Sequence, residues 1–275
     1  MFSVLMSVYE KESPENLREA LHSLQDQLEP GDEVILVLDG PIPPNLMSVV
    51  HQFERVLPLR TIPIALNAGL ANALNVGIHH VKTDWVVRFD SDDICVKERF
   101  KIQRAIAQSD QADFFGGQID EFDCNIRHRL GQRKVPLDSK DILKQLPRRN
   151  PFNHVTMCIR TEILKSQPYP NIPGFEDYAL WTVLISKGYR YMNLPEVLVS
   201  VRAGEFMIQR RKGLNYLLRE LKLRRLILDQ RVADPVKVIW YGLARCVAFC
   251  LPVLLKTFLY KYFLRQHPVH KEPTS

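Results

Sequence analysis

Apolar and polar positions in the first 90 residues switch between two periods. Apolar runs of strand length occupy residues 2–8, 33–38, 59–64 and 85–89, while residues 15–27, 45–56 and 70–81 place apolar side chains at helical spacing. In the first helical stretch Leu17, Leu21, Leu24 and Leu28 recur every three to four positions and predict a core-facing stripe. Ser13 and Pro14 open it: a hydroxyl to cap free N–H groups, then a ring whose fixed φ suits the first turn. Strands alternating with helices predict βαβ units, right-handed crossovers and an α/β fold around a mostly parallel sheet.

The middle third is less regular. Residues 114–122 and 127–134 read as strands around Asp123-Cys124-Asn125, with helices over 97–108, 138–146 and 176–187 and a last strand over 197–202. Past that point the pattern turns helical over 206–230, then strongly apolar from Asp234-Pro235 to residue 264. The sequence therefore divides into an α/β domain, 1–202, and a helical tail, 203–275.

Charge sharpens that boundary. The net charge is +6, yet residues 1–201 hold 22 basic and 26 acidic side chains against 15 and 5 in residues 202–275. In the tail Arg210, Arg211, Lys212, Arg219, Lys222, Arg224 and Arg225 are interleaved with leucines, a pattern suited to an anionic membrane surface. The apolar segment is interrupted by Lys237, Arg245, Lys256, Lys261 and Pro252. Its longest uncharged run, residues 246–255, spans roughly 15 Å as a helix, half of a ~30 Å bilayer core. Insertion in the interface plane is expected rather than a span; a helical appendage packed on the domain or on a second subunit is the competing reading. No nucleic-acid recognition motif accompanies the basic residues, so nucleic acid is not an expected partner. Five scattered cysteines without a zinc pattern predict free thiols in a reducing compartment, and residues 2–8 read as a strand rather than a secretory leader.

Ligands of such sheets bind beyond the carboxyl ends of the strands. There the sequence supplies Ser7-Val8-Tyr9-Glu10, Asp39-Gly40-Pro41 and Asp90-Ser91-Asp92-Asp93. Three carboxylates within four residues repel one another unless a cation or hydrogen-bond donors offset their charge. Mg²⁺ or Mn²⁺ fits such donors and completes its shell with phosphate oxygens. Taken alone, the cluster reads equally as an acidic turn capping the next helix. Gly69 and Gly77 lower helix propensity where they stand; Gly77 reads as close packing and Gly69 as a border of a ligand pocket. No P-loop and no G-x-G-x-x-G occurs.

Together, Ser7-Val8-Tyr9, Asp39-Gly40, Asn67-x-Gly69, Ala73-Leu74-Asn75-x-Gly77, Asp90-x-Asp92-Asp93 and Glu176-Asp177-x-x-Leu180-Trp181 resemble the family 2 glycosyltransferases over residues 2–202. The nearest resemblance is to bacterial enzymes that build capsule, exopolysaccharide or lipopolysaccharide O-antigen. The resemblance implies a GT-A fold and transfer of a sugar, with inversion, from a nucleotide-sugar. It implies that Ser7, Val8 and Tyr9 cradle base and ribose, that Asp39 accepts from the uracil N–H, and that Asn67 and Gly69 line the nucleotide pocket. Asp90, Asp92 and Asp93 form the DxD element, with Asp92 near ribose or sugar and Asp93 most directly on Mn²⁺ or Mg²⁺. Arg99, nine residues past Asp90, reads equally as a salt bridge to the DxD turn or a substrate contact. The family's base falls on Asp177, with Glu176 orienting it or the acceptor, or simply capping its helix. His154 is a candidate acceptor or phosphate contact; Trp181 belongs to the core and is a candidate floor for the acceptor.

Two departures stand out. Asp39 lacks a further acidic neighbour before Gly40, which loosens the reading of the base, and the Gln-x-x-Arg-Trp string of processive synthases is absent. The expectation is single-sugar transfer from a UDP-sugar to a lipid-linked glycan, by a peripheral protein on the cytoplasmic face of a bacterial inner membrane. A sugar-nucleotidyltransferase needs a Gly-rich basic loop after the first strand, which Ser7–Glu12 does not provide. A non-catalytic membrane-bound assembly subunit is the other alternative, and intact Asp92, Asp93 and Asp177 argue against it.

Overall fold

The structure, a computed structural model, describes residues 1–123, 125–203 and 214–250. Arg210, Arg211, Lys212, Pro252, Lys256 and Lys261 of the expected tail lie outside the described residues, as does Cys124.

The N-terminal half follows the sequence pattern closely. Strands β1 (Phe2–Val8), β2 (Glu33–Asp39), β3 (Leu59–Ile64) and β4 (Trp85–Arg88) alternate with helices α1 (Pro14–His22), α2 (Pro44–Phe53) and α3 (Leu70–His80). They pair in the order β3-β2-β1-β4, parallel throughout. Ser13 caps α1, its Oγ accepting from the Asn16 N–H at 3.4 Å. The helix ends at His22, short of the expected residue 27, because residues 23–27 tighten into three-residue turns: the Gln25 N–H bonds His22 O and the Gln27 N–H bonds Leu24 O.

Next come β5 (Ile94–Cys95), α4 (Arg99–Ser109), β6 (Phe114–Phe122), β7 (Arg129–Arg133), α5 (Ser139–Gln145), β8 (Cys158–Arg160), α6 (Thr161–Ser166), α7 (Glu176–Ser186) and β9 (Tyr191–Arg202). The full sheet order is β3-β2-β1-β4-β8-β6-β9-β5, with β7 on β6. Here the expected mostly parallel sheet is corrected to a mixed one. β8 runs antiparallel to β4 and β6, β7 antiparallel to β6, and β5 antiparallel to β9, while β6 and β9 are parallel. β9 also begins at Tyr191 rather than 197. Asn193 pairs with Gly116 and Val197 with Gln118, so the residues around Pro195 slip out of register, and a proline in a strand breaks the period that would have revealed it.

Alternation along β1 sorts the core. Phe2, Val4, Met6 and Val8 face one layer with α1, α2 and α4, while Leu5 faces the other. Gly77 lets α3 lie close on that second face, where an added Cβ would stand 2.5 Å from Leu5 Cδ1 and 2.8 Å from Val37 Cγ2. The same layer takes in α7 and two C-terminal helices, α8 (Leu214–Gln230) and α9 (Pro235–Cys250). Leu223, Ile227 and Val238 are fully buried in one cluster with Leu180 and Trp181, so this helical hairpin packs on the α/β domain.

Candidate active site

Adjacent, parallel β1 and β2 bring Ser7, Val8 and Tyr9 beside Asp39 and Gly40. Asp39 is buried and acts as a clamp. Its Oδ1 accepts from the Ala68 N–H at 2.7 Å and its Oδ2 from the Gly69 N–H at 3.1 Å, while Asn67 Nδ2 donates to Asp39 O at 3.2 Å. Gly40 has φ +86°, and a Cβ there would meet Asn67 N at 2.8 Å; only glycine admits both the conformation and the approach. Gly69, φ +82°, precedes α3 with open space around it. The loop 67–69 is thus fastened to the end of β2 and exposed to solvent.

After β4 the chain turns through Asp90, Ser91, Asp92 and Asp93, whose three carboxylates place oxygens within 4.8 Å of one another. Asp93 is buried, one oxygen accepting from the Arg202 N–H at 2.9 Å. Arg202 Nε donates to Asp92 O at 3.1 Å and its Nη2 to Glu19 at 2.6 Å, so the end of β9 closes one side of the turn. Glu12 adds a fourth carboxylate, accepting from Ser91 Oγ at 3.0 Å. Burial first, and then the neighbouring charges of Asp90 and Glu12, push Asp92 up to about 7. Burial likewise raises Asp93 well above the usual carboxylate range, with Asp90 and Asp92 adding to it. Clustered hard oxygen donors that resist ionisation unaided fit a divalent cation such as Mg²⁺ or Mn²⁺.

Two arginines underlie this turn. Arg88, at the end of β4, is 1% exposed; it pairs with Asp90 and donates to the Phe89 carbonyl, and its Nε has no partner among the described residues. Its charge opposes, without outweighing, the burial that raises Asp93 and Glu176, and adds to the burial that lowers His154. Arg99 makes no salt bridge to the Asp90–Asp93 turn among the described residues. Fully buried, it donates to Arg88 O at 2.7 Å, Val155 O at 3.0 Å and Gln103 Oε1 at 3.0 Å. It braces α4 against β4 and the 3₁₀ turn His154–Thr156 because carbonyls, not a carboxylate, surround its guanidinium.

Glu176 and Asp177 form the first turn of α7. Glu176 is buried, and its Oε2 has no partner among the described residues. It lines a cleft of about 120 Å³ with residues 68–71, Asn171, Pro173 and Gly174. Burial raises its pKa, and Asp177 adds to the rise. Asp177 is half-buried: Asn150 Nδ2 donates to its Oδ2 at 2.6 Å and the Tyr178 N–H to its Oδ1 at 2.7 Å. Burial raises its pKa too, opposed by those two donors and by Arg133. The helix-end position alone favours the anion; desolvation outweighs it here.

His154 Nε2 lies 2.9 Å from Tyr169 Oη, and its ring packs on Tyr169 and edge-on to Trp181. Burial drives its pKa well below the usual value, which keeps the ring neutral. Trp181 is fully buried and stacks on Phe114 beneath this layer. Asn75 holds the Tyr169 backbone from both sides, donating to its O at 2.9 Å and accepting from its N–H at 2.8 Å.

Arg88, Glu12, Asn150 and the clamping use of Asp39 and Asn75 escape sequence reasoning. One signal was within reach: Arg88 is the single charged position in the apolar run of β4, and a charge in a buried strand requires a partner.

The model of the family described as glycosyl transferase family 2 matches residues 3–167. The amylovoran biosynthesis glycosyltransferase AmsE of Erwinia amylovora is 38% identical over 263 residues, 95% of this chain and 98% of that protein. The Escherichia coli UDP-Gal:alpha-D-GlcNAc-diphosphoundecaprenol beta-1,3-galactosyltransferase is 32% identical over 267 residues, 96% and 97% of the two chains. The crystal structure of S. aureus TarS 1–349 in complex with UDP-GlcNAc superposes with TM-score 0.68 at 20% identity, covering 96% of this chain and 76% of that one. Its fold is the GT-A type, and the strand-end carboxylates stand on a chain that belongs to glycosyl transferase family 2.

Proposed function

We propose that this glycosyltransferase moves a single sugar from a UDP-sugar to a lipid-linked glycan, with inversion, in the synthesis of a bacterial surface polysaccharide. The observation that carries this reading is the presence of two carboxylate groups in one molecule: Asp90, Asp92 and Asp93 clustered after β4, with Arg88 paired to Asp90, and Glu176 and Asp177 in the first turn of α7, where Glu176 lines a cleft with residues 68–71. The first set suits a diphosphate held through a cation, the second an incoming hydroxyl. The E. coli relative is named for a UDP-sugar donor and a diphosphoundecaprenol-linked acceptor, and the Erwinia relative for an exopolysaccharide, which supports the same substrate classes here.

In this reading Ser7, Val8 and Tyr9 cradle the nucleoside while Asn67 and Gly69 border it. Asp39, whose oxygens each keep a lone pair beyond the bonds to residues 68 and 69, accepts from the uracil N–H. Asp93 and Asp92 would hold Mn²⁺ or Mg²⁺. When bound, that ion neutralises charge developing on the leaving diphosphate. Asp177 takes the proton from the acceptor hydroxyl as that oxygen attacks the anomeric carbon and the bond to the diphosphate breaks, and burial, by raising its pKa, makes it a stronger base than an ordinary carboxylate. Glu176, through its unpartnered Oε2, accepts from a second acceptor hydroxyl and orients it. Neutral His154 and the Trp181 layer support that side from below. The test is transfer from a panel of UDP-sugars, with Mn²⁺, to a synthetic GlcNAc-diphospholipid. Asp177→Asn is expected to lower kcat by about 100- to 10,000-fold, and Asp93→Ala to abolish the metal dependence. Full rates in both variants overturn the mechanism.

The C-terminal helices support attachment to the inner membrane from its cytoplasmic face. On α9 the outward side is apolar: Val236, Ile239, Trp240, Leu243 and Val247 are all exposed, at i, i+3, i+4, i+7 and i+11. Leu214, Leu218 and Leu221 are likewise exposed on α8, and the two helices also expose Lys222, Arg225 and Lys237. No described helix is long and apolar enough to cross a membrane. An outward apolar stripe with flanking cations matches a helix pair lying in the headgroup plane of anionic lipid.

A further inference from the structure

Leu146, Pro147 and Arg148 follow the end of α5, and their three consecutive carbonyls are each taken by a different helix. Tyr178 Oη of α7 donates to Leu146 O, Arg224 Nη1 of α8 to Pro147 O, and Arg245 Nη2 of α9 to Arg148 O at 3.0 Å. The two guanidiniums converge on one acid. Glu220, 1% exposed, accepts from Arg224 Nε at 2.7 Å and from Arg245 Nη1 at 3.1 Å. Two residues beyond Arg148, Asn150 donates to Asp177 and accepts from the Phe152 N–H at 3.1 Å.

Packing alone does not require this triad. Leu223, Ile227 and Val238 already seat the hairpin on the domain, and apolar residues of similar volume often match or exceed the stability of a buried ion pair. What charged donors add is direction: two arginines fixed by one glutamate locate two adjacent carbonyls in a way that leucines cannot. We propose that Glu220, Arg224 and Arg245 are positioning residues that hold segment 146–150 so that Asn150 orients the Asp177 carboxylate. The inference rests on Asp177 being the base, and it gives the C-terminal helices a part in the transfer step beyond attachment.

Two measurements on the full-length protein separate the brace from the base. Carboxyl-carbon NMR follows the titration of Asp177 with no substrate present. The groups facing it are Glu176, Arg133, Tyr169, Asn150 and the Tyr178 N–H. Asn150→Ala removes a donor that favours the anion and moves the titration to higher pH. Arg245→Met is expected to move it the same way, the double variant no further than the larger single shift, and Arg245→Lys little. A wild-type titration in Arg245→Met, or shifts that add in the double variant, overturns the proposal, because coupled sites are non-additive. If Arg245→Met fails to fold by its thermal melt, Glu220→Gln keeps the shape of the acid and takes its place in the same comparison.

Transfer from UDP-galactose to a GlcNAc-diphospholipid is the second arm. Arg245→Met is expected to lower kcat by about 10- to 100-fold, the scale of a ~1 Å misplacement, with KM for UDP-galactose unchanged. A loss confined to that KM overturns the brace. Full turnover in Asp177→Asn, or none in the wild type with these probes, counts against the catalytic reading, and the NMR arm then decides the brace alone.

Discussion

Asp92 and Asp93 are carboxylic acids that the fold makes reluctant to ionise. The stability consequence has a definite sign. Asp92 titrates near 7 in the folded chain against an ordinary value of 3.8, and Asp93 is also raised. Between those pH values the native state binds more protons than the unfolded state, so the cation-free protein loses stability as pH rises from about 4 to 7. A divalent cation binds the ionised form and reverses the loss. Melting at pH 5 and pH 8, with and without MnCl₂, should show a larger Mn²⁺-induced rise in Tm at pH 8. An equal rise at both, or the same rise in Asp92→Asn/Asp93→Asn, sinks the assignment of these two residues. The acidic cluster was legible because it follows a strand in series with the other strand-end motifs; alone it read equally as a capping turn. Arg88 and Arg99 were not, since an arginine's role is set by which carbonyls and carboxylates the fold brings around it. A local string does not record those.

At the scale of elements, the period-two and helical patterns located the first four strands and three helices to within a few residues, apart from the frayed end of α1. They failed where an element is too short to carry a period, as in β5 and β8 with two and three residues. They failed also where Pro195 breaks one, as in β9. Antiparallel pairing of β8 could not be read for the same reason, and so the sheet was expected to be more parallel than it is. The close seat of α3 was legible from Gly77 inside a helical run, and it gives a direct test. Gly77→Val forces methyl groups into Leu5 and Val37, and is expected to destabilise by about 1–3 kcal/mol, read as a fall in urea midpoint with unchanged slope. An unchanged midpoint would mean that α3 sits farther from β1 and β2 than 2.5 Å at Cβ allows.

For the whole molecule, the charge switch near residue 202 precedes two helices that pack on the rest of the chain. α8 and α9 share their buried face with α7 and turn an apolar face outward. If that face meets lipid, Trp240→Ser with Leu243→Ser should weaken binding to phosphatidylglycerol vesicles by at least about tenfold, since each large apolar side chain contributes about 1.5–3 kcal/mol when fully buried. Sedimentation with the vesicles measures it, and equal binding by the variant removes these residues from the contact. The melting temperature should hold, because both side chains are exposed in the fold.

The last residue of β9 bears on how such enzymes diversify. Arg202 closes the Asp90–Asp93 turn through its N–H and its guanidinium, and α8 and α9, farther along the chain, donate to carbonyls 147 and 148. On the proposed donor and acceptor roles, Arg202 and these two helices serve opposite sides of the site and are not an exchangeable cassette. On that reading, chimeras that graft another anchor after residue 202 lose the core contacts of Leu223, Ile227 and Val238 as well as the hold on carbonyls 147 and 148, so they should transfer poorly unless segment 146–150 and the hairpin are exchanged together.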